Sequence, residues 1–259
     1  MGYKSNTISY SEDLTPASEQ KQFFSHVHTT YEMLFIYHGR GDFLIEDAEY
    51  PCKPNTLFLI PPGKYHVIRN IGGADYKRCV VNFSTRLLPR PIERGKSYYR
   101  VTDDRVRSLF YKLAFYSQTY TGEALQALLE AGITEILVSS FFENEENAEG
   151  KKVPALVKNA IDYINAHLEE PLSVPKIADA LFISETHLSH LFSDTMNTGL
   201  MHYAAIKKMY AARERLREGA SVGEVCERFG YRSYPTFLRN YRTHFGINPS
   251  EEKERRSKG

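Results

Sequence analysis

Cysteine is scarce, and its placement excludes the chemistry it usually serves. Cys52, Cys79 and Cys226 are the whole supply, an odd number with no C-x-x-C spacing. That argues against a disulfide framework and against a zinc finger. Long apolar stretches are missing too. No run reads as long enough to cross a bilayer, and the N-terminus lacks a basic-then-apolar leader pattern, so a cytoplasmic chain with no membrane partner is expected. Net charge is nearly absent, +1 over 259 residues, and in total points to no partner. Divided, it does. Residues 1–150 carry 16 Lys and Arg against 19 Asp and Glu, a balance of −3, and residues 151–259 carry 17 against 13, a balance of +4. A basic excess confined to one half suits phosphate neutralisation, although a solvated helical surface shows the same imbalance. The length suffices for two domains, each with its own core.

What the basic half does have is a closely spaced run at residues 221–249, SVGEVCERFGYRSYPTFLRNYRTHFGINP. Ser221 is an N-cap type with Glu224 three positions on, the pairing that closes a capping box. Val222, Val225 and Phe229 make the apolar stripe of a short helix, and Gly230 stands where that helix must stop. Ser233 caps a second helix, with Phe237 and Tyr241 at i, i+4 and Arg239 and Arg242 on the opposite face. Two short helices joined by a tight turn, the second one basic, make a helix-turn-helix. Its second helix is the one that enters the major groove of DNA.

This run resembles the signature of AraC-type bacterial transcription regulators, I-x-x-I-A-x-x-x-G-F and then S-Y-F-x-R-x-F-K-x-x-x-G-x-x-P. Val222, Val225, Gly230, Tyr231, Phe237, Arg239, Tyr241, Arg242, Gly246 and Pro249 stand at its positions. Cys226 departs from the usual Ala, Thr236 from an aromatic, and Glu252 from an aromatic often found after the final Pro-Ser. The resemblance implies an α+β chain. Residues 1–143 would form a cupin-like antiparallel β-barrel with a two-helix dimerisation element, residues 144–153 a linker, and residues 154–259 an all-α domain with two helix-turn-helix motifs joined by a long helix. It further implies double-stranded DNA, a small-molecule effector, a second copy of the chain and RNA polymerase as partners, and no enzymatic activity. Activation is the commoner role in the family.

In the first half, residues 1–20 read as a polar lead-in arm. From Phe23 onward, short β-branched and aromatic runs alternate with Gly, Pro, Asn and Asp, the pattern of an antiparallel sandwich or small barrel. Pro51 and Pro54 belong at turns or strand edges. Two stretches resemble the cupin motifs H-x-H-x3-E-x6-G and P-x-G-x2-H-x3-N: His26, His28, Glu32 and Gly39, then Pro61, Gly63, His66 and Asn70. Asn55 stands where a Gly is expected before the second. His26, His28 and Glu32 are separated by even numbers, so a continuous strand would place them on one face. Joined by His66, they make a three-His, one-carboxylate set that a first-row transition metal accepts. Three readings stay open: a metal site, hydrogen-bonding lining of an effector pocket, or structural partners for one another. Tyr37, Phe43 and Tyr65 offer stacking faces to a sugar-like ligand, or fill the barrel core.

Beyond Asp103 the period lengthens. Val106, Leu109, Phe110 and Leu113 share one helical face, and Leu125, Leu128, Leu129, Ile133, Ile136 and Leu137 another. The pair either carries a dimer contact through Leu125 and Leu129 or closes the barrel. ENEENAEGKK (143–152) reads as an exposed linker. Pro154 opens a helix with Leu156, Val157, Ala160, Ile161 and Ile164 inward, and IADALFISETHLSHLF (177–192) forms a first helix-turn-helix capped by Ser173 and Ser184. A long helix from about His202 to Glu218 follows, with Lys207, Lys208, Arg213 and Arg217 expected on its solvent side.

Base-reading positions are therefore expected at Thr186, Ser189 and His190 in the first unit and at Tyr234, Pro235, Leu238 and Arg239 in the second. Phosphate contacts are expected from Lys207, Lys208 and Arg242. The cluster His26, His28, Glu32 and His66 keeps a different class open, a metal-dependent cupin enzyme with an appended DNA-binding module. Otherwise no cofactor is expected.

Overall fold

Strand alternation builds the first unit, and each strand's parity decides which of two cores a side chain enters. The computed structural model describes residues 2–5, 7–16, 27–69, 74–89, 96–141, 150–231 and 233–252. His26, Asn70, most of the expected linker and the basic tail at 253–258 lie outside the described residues. The described chain divides into two units, Met1–Lys152 and Val153–Gly259.

One antiparallel sheet takes the order β1 (Gly2–Lys4), β2 (Ile8–Thr15), β8 (Tyr76–Phe83), β3 (Tyr31–His38), β6 (Thr56–Ile60) and β9 (Tyr98–Val101). The other has β10 (Lys151–Lys152), β5 (Ala48–Cys52), β4 (Gly41–Ile45) and β7 (His66–Arg69). Leu34, Ile36, Phe43, Phe58, Ile68, Tyr76 and Tyr99 pack into one core drawn from both sheets. The odd residues of β3 (Tyr31, Met33, Phe35 and Tyr37) point the other way. They meet Phe110, Leu113, Leu129, Ile133 and Ile136 from α1 (Asp104–Thr119) and α2 (Gly122–Phe141). Two sheets and a helical layer result, a cupin-like arrangement. Asn55 takes φ +64, the left-handed conformation Asn tolerates where the motif has Gly.

Asp103 caps α1 by accepting from the backbone of Arg105 and Val106. Gly132 lets the two helices approach closely, since a Cβ there would lie 2.5 Å from Leu113. Three expectations need correction. At 20 residues and a mean hydropathy of 1.3, α2 is long and apolar enough to cross a bilayer, although no run was expected to be. Leu125 and Leu129 do not face outward for a partner subunit. Both are buried against their own barrel, because that stripe is the one the sheet needs covered. The expected linker is also shorter on its C-terminal side, where Lys151 and Lys152 pair with Glu49 and Ala48 of β5.

The second unit is all-α: α3 (Ala155–Ala166), α4 (Val174–Ala180), α5 (Glu185–Met196), α6 (Leu200–Glu218), α7 (Val222–Arg228) and α8 (Tyr234–Phe245). Ser173, Ser184, Ser221 and Ser233 all cap as side-chain acceptors, and Ser221 with Glu224 completes the capping box. Nineteen residues make α6 about 28 Å long, a bar comparable with one turn of duplex.

Candidate functional site

Each helix-turn-helix holds its second helix by one apolar face and leaves the other to solvent. In α5, Leu188, Phe192 and Met196 are buried. Thr186 and His190 are exposed and Ser189 half-buried, at the i, i+3, i+4 spacing that places all three on one face. In α8, Phe237 and Tyr241 are buried, and Tyr231, Phe237, Tyr241 and Phe245 form a chain of ring contacts 4.6 to 5.6 Å apart. Tyr234, Pro235, Arg239 and Arg242 are exposed and Leu238 is half-buried. Neither arginine has an ion-pair partner among the described residues, so both charges stand ready for an external anion.

The first unit gathers a polar cluster at the start of β3. His28 Nε2 lies 2.6 Å from Glu32 Oε2, and His66 Nε2 lies 3.6 Å from Glu32 Oε1. The two imidazoles sit 4.9 Å apart, centroid to centroid. His66 Nδ1 is 2.9 Å from the Lys64 carbonyl, which holds its proton there and turns Nε2 toward the carboxylate. Glu32 and His66 are buried and His28 is a quarter exposed, so the cluster opens at one edge. Phe43 meets the His66 ring edge-on at 5.7 Å. The ligating atoms of His28, Glu32 and His66 fall within 4.8 Å of one another, a spacing that suits a metal ion.

Two further findings correct the expected lining. Val27–Thr30 is not strand, so His28 reaches Glu32 through a bend, held where Gly63 N–H donates to the His28 carbonyl at 2.9 Å. Tyr37 is absent from the cluster. It stands five residues from Glu32, hence on the opposite face of β3, where its hydroxyl donates to Glu12 at 2.8 Å and its ring meets Tyr111. Burial and the nearby Cys79 and Glu12 raise its pKa far above the ordinary tyrosine value. Tyr65 is fully buried, with its backbone bonded to Glu46.

Comparison with known proteins settles the family. The AraC-like ligand binding domain matches residues 13–149, more than half the chain, and a helix-turn-helix domain matches residues 177–255. The chain belongs to the AraC family of transcription regulators. It is 33% identical over 104 residues to the probable thc operon regulatory protein of Rhodococcus erythropolis, covering 39% of this chain and 31% of that protein. It is 24% identical over 242 residues to the HTH-type transcriptional regulator YfiF of Bacillus subtilis, covering 86% of this chain and 76% of that one. The multiple antibiotic resistance protein MarA of Salmonella typhimurium is 28% identical over 94 residues, 36% of this chain and 74% of that one. The chain thus spans about a third of the first relative's length and about three-quarters of the other two. It is an AraC-type DNA-binding regulator with a ligand-binding domain.

Within this AraC-family frame, three of the cations expected on the solvent side of α6 have partners within the chain. Lys208 donates to the Glu170 carbonyl at 2.9 Å and the Phe229 carbonyl at 3.0 Å, tying α6 to the α3–α4 loop and to the end of α7. Burial lowers its pKa. Those bonds satisfy backbone acceptors at helix ends, so Lys208 is a poor phosphate contact. Arg213 is buried and pairs with Glu252 at 2.6 Å, its guanidinium 4.4 Å from the Phe245 ring. Arg217 also reaches Glu252, at 3.0 Å, and the Tyr241 hydroxyl donates to it at 2.8 Å. Glu252 thus stands as a charged group where the family pattern has an aromatic, a role hidden in the sequence because its two arginine partners lie 35 and 39 residues away.

Proposed function

We propose that this regulator binds as a dimer to operator DNA, with α5 and α8 of each copy set into successive major grooves on one face of the duplex. Thr186, Ser189 and His190 read one segment, and Tyr234, Pro235, Leu238 and Arg239 the next. Arg242 and Lys207 hold phosphates. The observation that carries the reading is the pair of exposed arginines on α8, free of internal partners among the described residues, beside a face that packing leaves open. Arg239 suits bidentate donation to guanine, whereas Leu238 offers only apolar contact, as to a thymine methyl. A small polar effector, a sugar by the chemistry of the lining, engages His28, Glu32 and His66 at the open edge of the cluster, with Phe43 and Tyr65 behind them. Effector binding shifts the balance between two presentations of the DNA-binding helices and favours the one that recruits RNA polymerase, making the protein an activator.

The test separates reading from clamping. Arg239→Ala should weaken operator binding by about 1–3 kcal/mol and relax preference at one base pair. Arg242→Ala should weaken operator and random DNA alike and flatten the salt dependence by about one charge. Titration of both variants on both duplexes over a range of salt measures this. Equal losses on the two duplexes for Arg239→Ala would overturn its reading role. A second reading, metal-dependent chemistry at His28, Glu32 and His66, is favoured by the spacing of their ligand atoms alone. Near-stoichiometric iron, manganese or nickel in the purified protein would support it.

A further inference from the structure

The ligand-binding unit also carries a cavity of about 580 Å3 away from the His28–Glu32–His66 cluster, bounded by the end of β9, the first turn of α1 and the last turns of α2. Register separates the two places. Glu32 pairs with Ile60 at one end of β6, and Val101 pairs with Thr56 at the other, four residues or about 13 Å along the strand. The volume falls within the roughly 300–1,000 Å3 of small-molecule pockets.

The charges that line this cavity are two Arg and two carboxylates, but they are not all paired. Arg105 is satisfied by Asp103 at 2.7 Å, and Glu135 by Lys112 at 3.0 Å. Arg100 has no carboxylate partner among the described residues, and its buried Nε has no hydrogen-bond partner. Its guanidinium lies over the face of Phe141, at 5.7 Å. Burial lowers its pKa, consistent with a cation removed from water without a counter-ion. Ser140, 6% exposed, likewise has a buried hydroxyl without a hydrogen-bond partner among the described residues. A half-buried guanidinium and a buried hydroxyl on two residues that line one cavity are costly to the protein alone; a carboxylate entering there can take N–H bonds from the Arg100 Nη atoms and, once the Ser140 side chain turns about χ1, a bond from its hydroxyl. The rim is apolar, with Val101 and Val138 53% and 38% exposed. Asp103 and Glu135 disfavour a second negative charge.

We propose that this cavity is a ligand site selective for a small monocarboxylate with a short apolar body, held by Arg100 and Ser140. The site is independent of the effector reading at the His28 cluster. Its occupant ties β9 to the last turn of α2, the element from which the chain runs on toward the DNA-binding half.

The experiment is calorimetric titration of the full chain with two acids, butyrate and 3-phenylpropionate, and with their neutral amides. Each acid should bind at least about tenfold tighter than its amide, the ratio expected for a charge-assisted contact. Arg100→Gln should bring that ratio to about one while leaving ligand-free DNA binding unchanged, and Ser140→Ala should weaken the acid several-fold. Equal affinity of acid and amide in both pairs, or an undiminished ratio in Arg100→Gln, overturns the proposal. Should Arg100→Gln not fold by circular dichroism, Ser140→Ala decides, since unchanged acid affinity there overturns it as well. None of these failures touches the operator-binding test of Arg239, so the two readings fail separately.

Discussion

Phe182 sits in the turn between α4 and α5 at φ +56, with 93% of its surface exposed. Its N–H bonds the Asp179 carbonyl at 3.1 Å, and the next N–H bonds the Ala178 carbonyl at 3.1 Å. The same pair of bonds closes α7, where Gly230 and Tyr231 donate to Glu227 and Cys226 and Gly230 takes φ +68. A left-handed position suits Gly or Asn, and a bulky L-residue there is disfavoured by roughly 1 kcal/mol. Exposure means that Phe182 recovers none of this through packing. Phe182→Asn should therefore raise stability by about 0.5–1 kcal/mol, seen as a higher denaturation midpoint with unchanged slope. A lower midpoint would show that the ring is held by contacts of its own. At this scale strand parity is legible in the sequence. Tyr37 was expected beside the cluster, yet it stands an odd number of residues from Glu32, and strand parity puts it in the other core. His28 shows the converse, since its approach to Glu32 comes from a bend that no periodicity marks.

Helices were the most readable elements because their ends are written locally. Ser173, Ser184, Ser221 and Ser233 each lie three residues before the N–H they accept from, and that spacing is visible in a string of letters. What α6 touches is not written locally. Arg213 and Arg217 looked like surface charge, and only the fold brings Glu252 between them. For Glu252, burial pushes the carboxyl pKa up, but Arg213, Arg217 and the Tyr241 hydroxyl outweigh it and hold the value below the ordinary 4.5. A carboxyl whose folded pKa is depressed contributes stability that is complete above its unfolded value and lost as pH falls through the folded one. The second unit should thus lose stability progressively below pH 4.5. Glu252→Gln should remove that contribution and destabilise by about 3 kcal/mol near neutrality, because Arg213 is left buried and unpaired. Denaturant melts of both proteins at pH 7 and pH 4 measure it. A gap between them that does not narrow at the lower pH contradicts the assignment.

For the whole molecule, the division of charge and the two motif sets were enough to read an α+β regulator, because each unit carries its own signature within about 30 to 50 residues. Pairing between copies was not legible, since the residues that look most like an interface, Leu125 and Leu129, are those the barrel consumes. The large apolar side chains that remain exposed on α1 are aromatic. Phe115 is 56% exposed, Tyr111 45% and Tyr120 40%, all on α1 or at its cap, with Phe115 touching Tyr116 and Tyr120. Several exposed rings along one helix are unusual for a surface that meets only water, and they suit the dimer contact proposed here. A charge at Phe115 has no intramolecular core to disturb, because the buried stripe of α1 is Val106, Phe110, Leu113 and Ala114. Phe115→Glu should leave the denaturation midpoint of a dilute sample within about 0.5 kcal/mol of the parent, as a surface change does. In sedimentation equilibrium it should weaken dimerisation about tenfold or more, consistent with burying an unpaired carboxylate. An unchanged dissociation constant would move the contact off α1, and the exposed Val138 on α2 would be the next residue to charge.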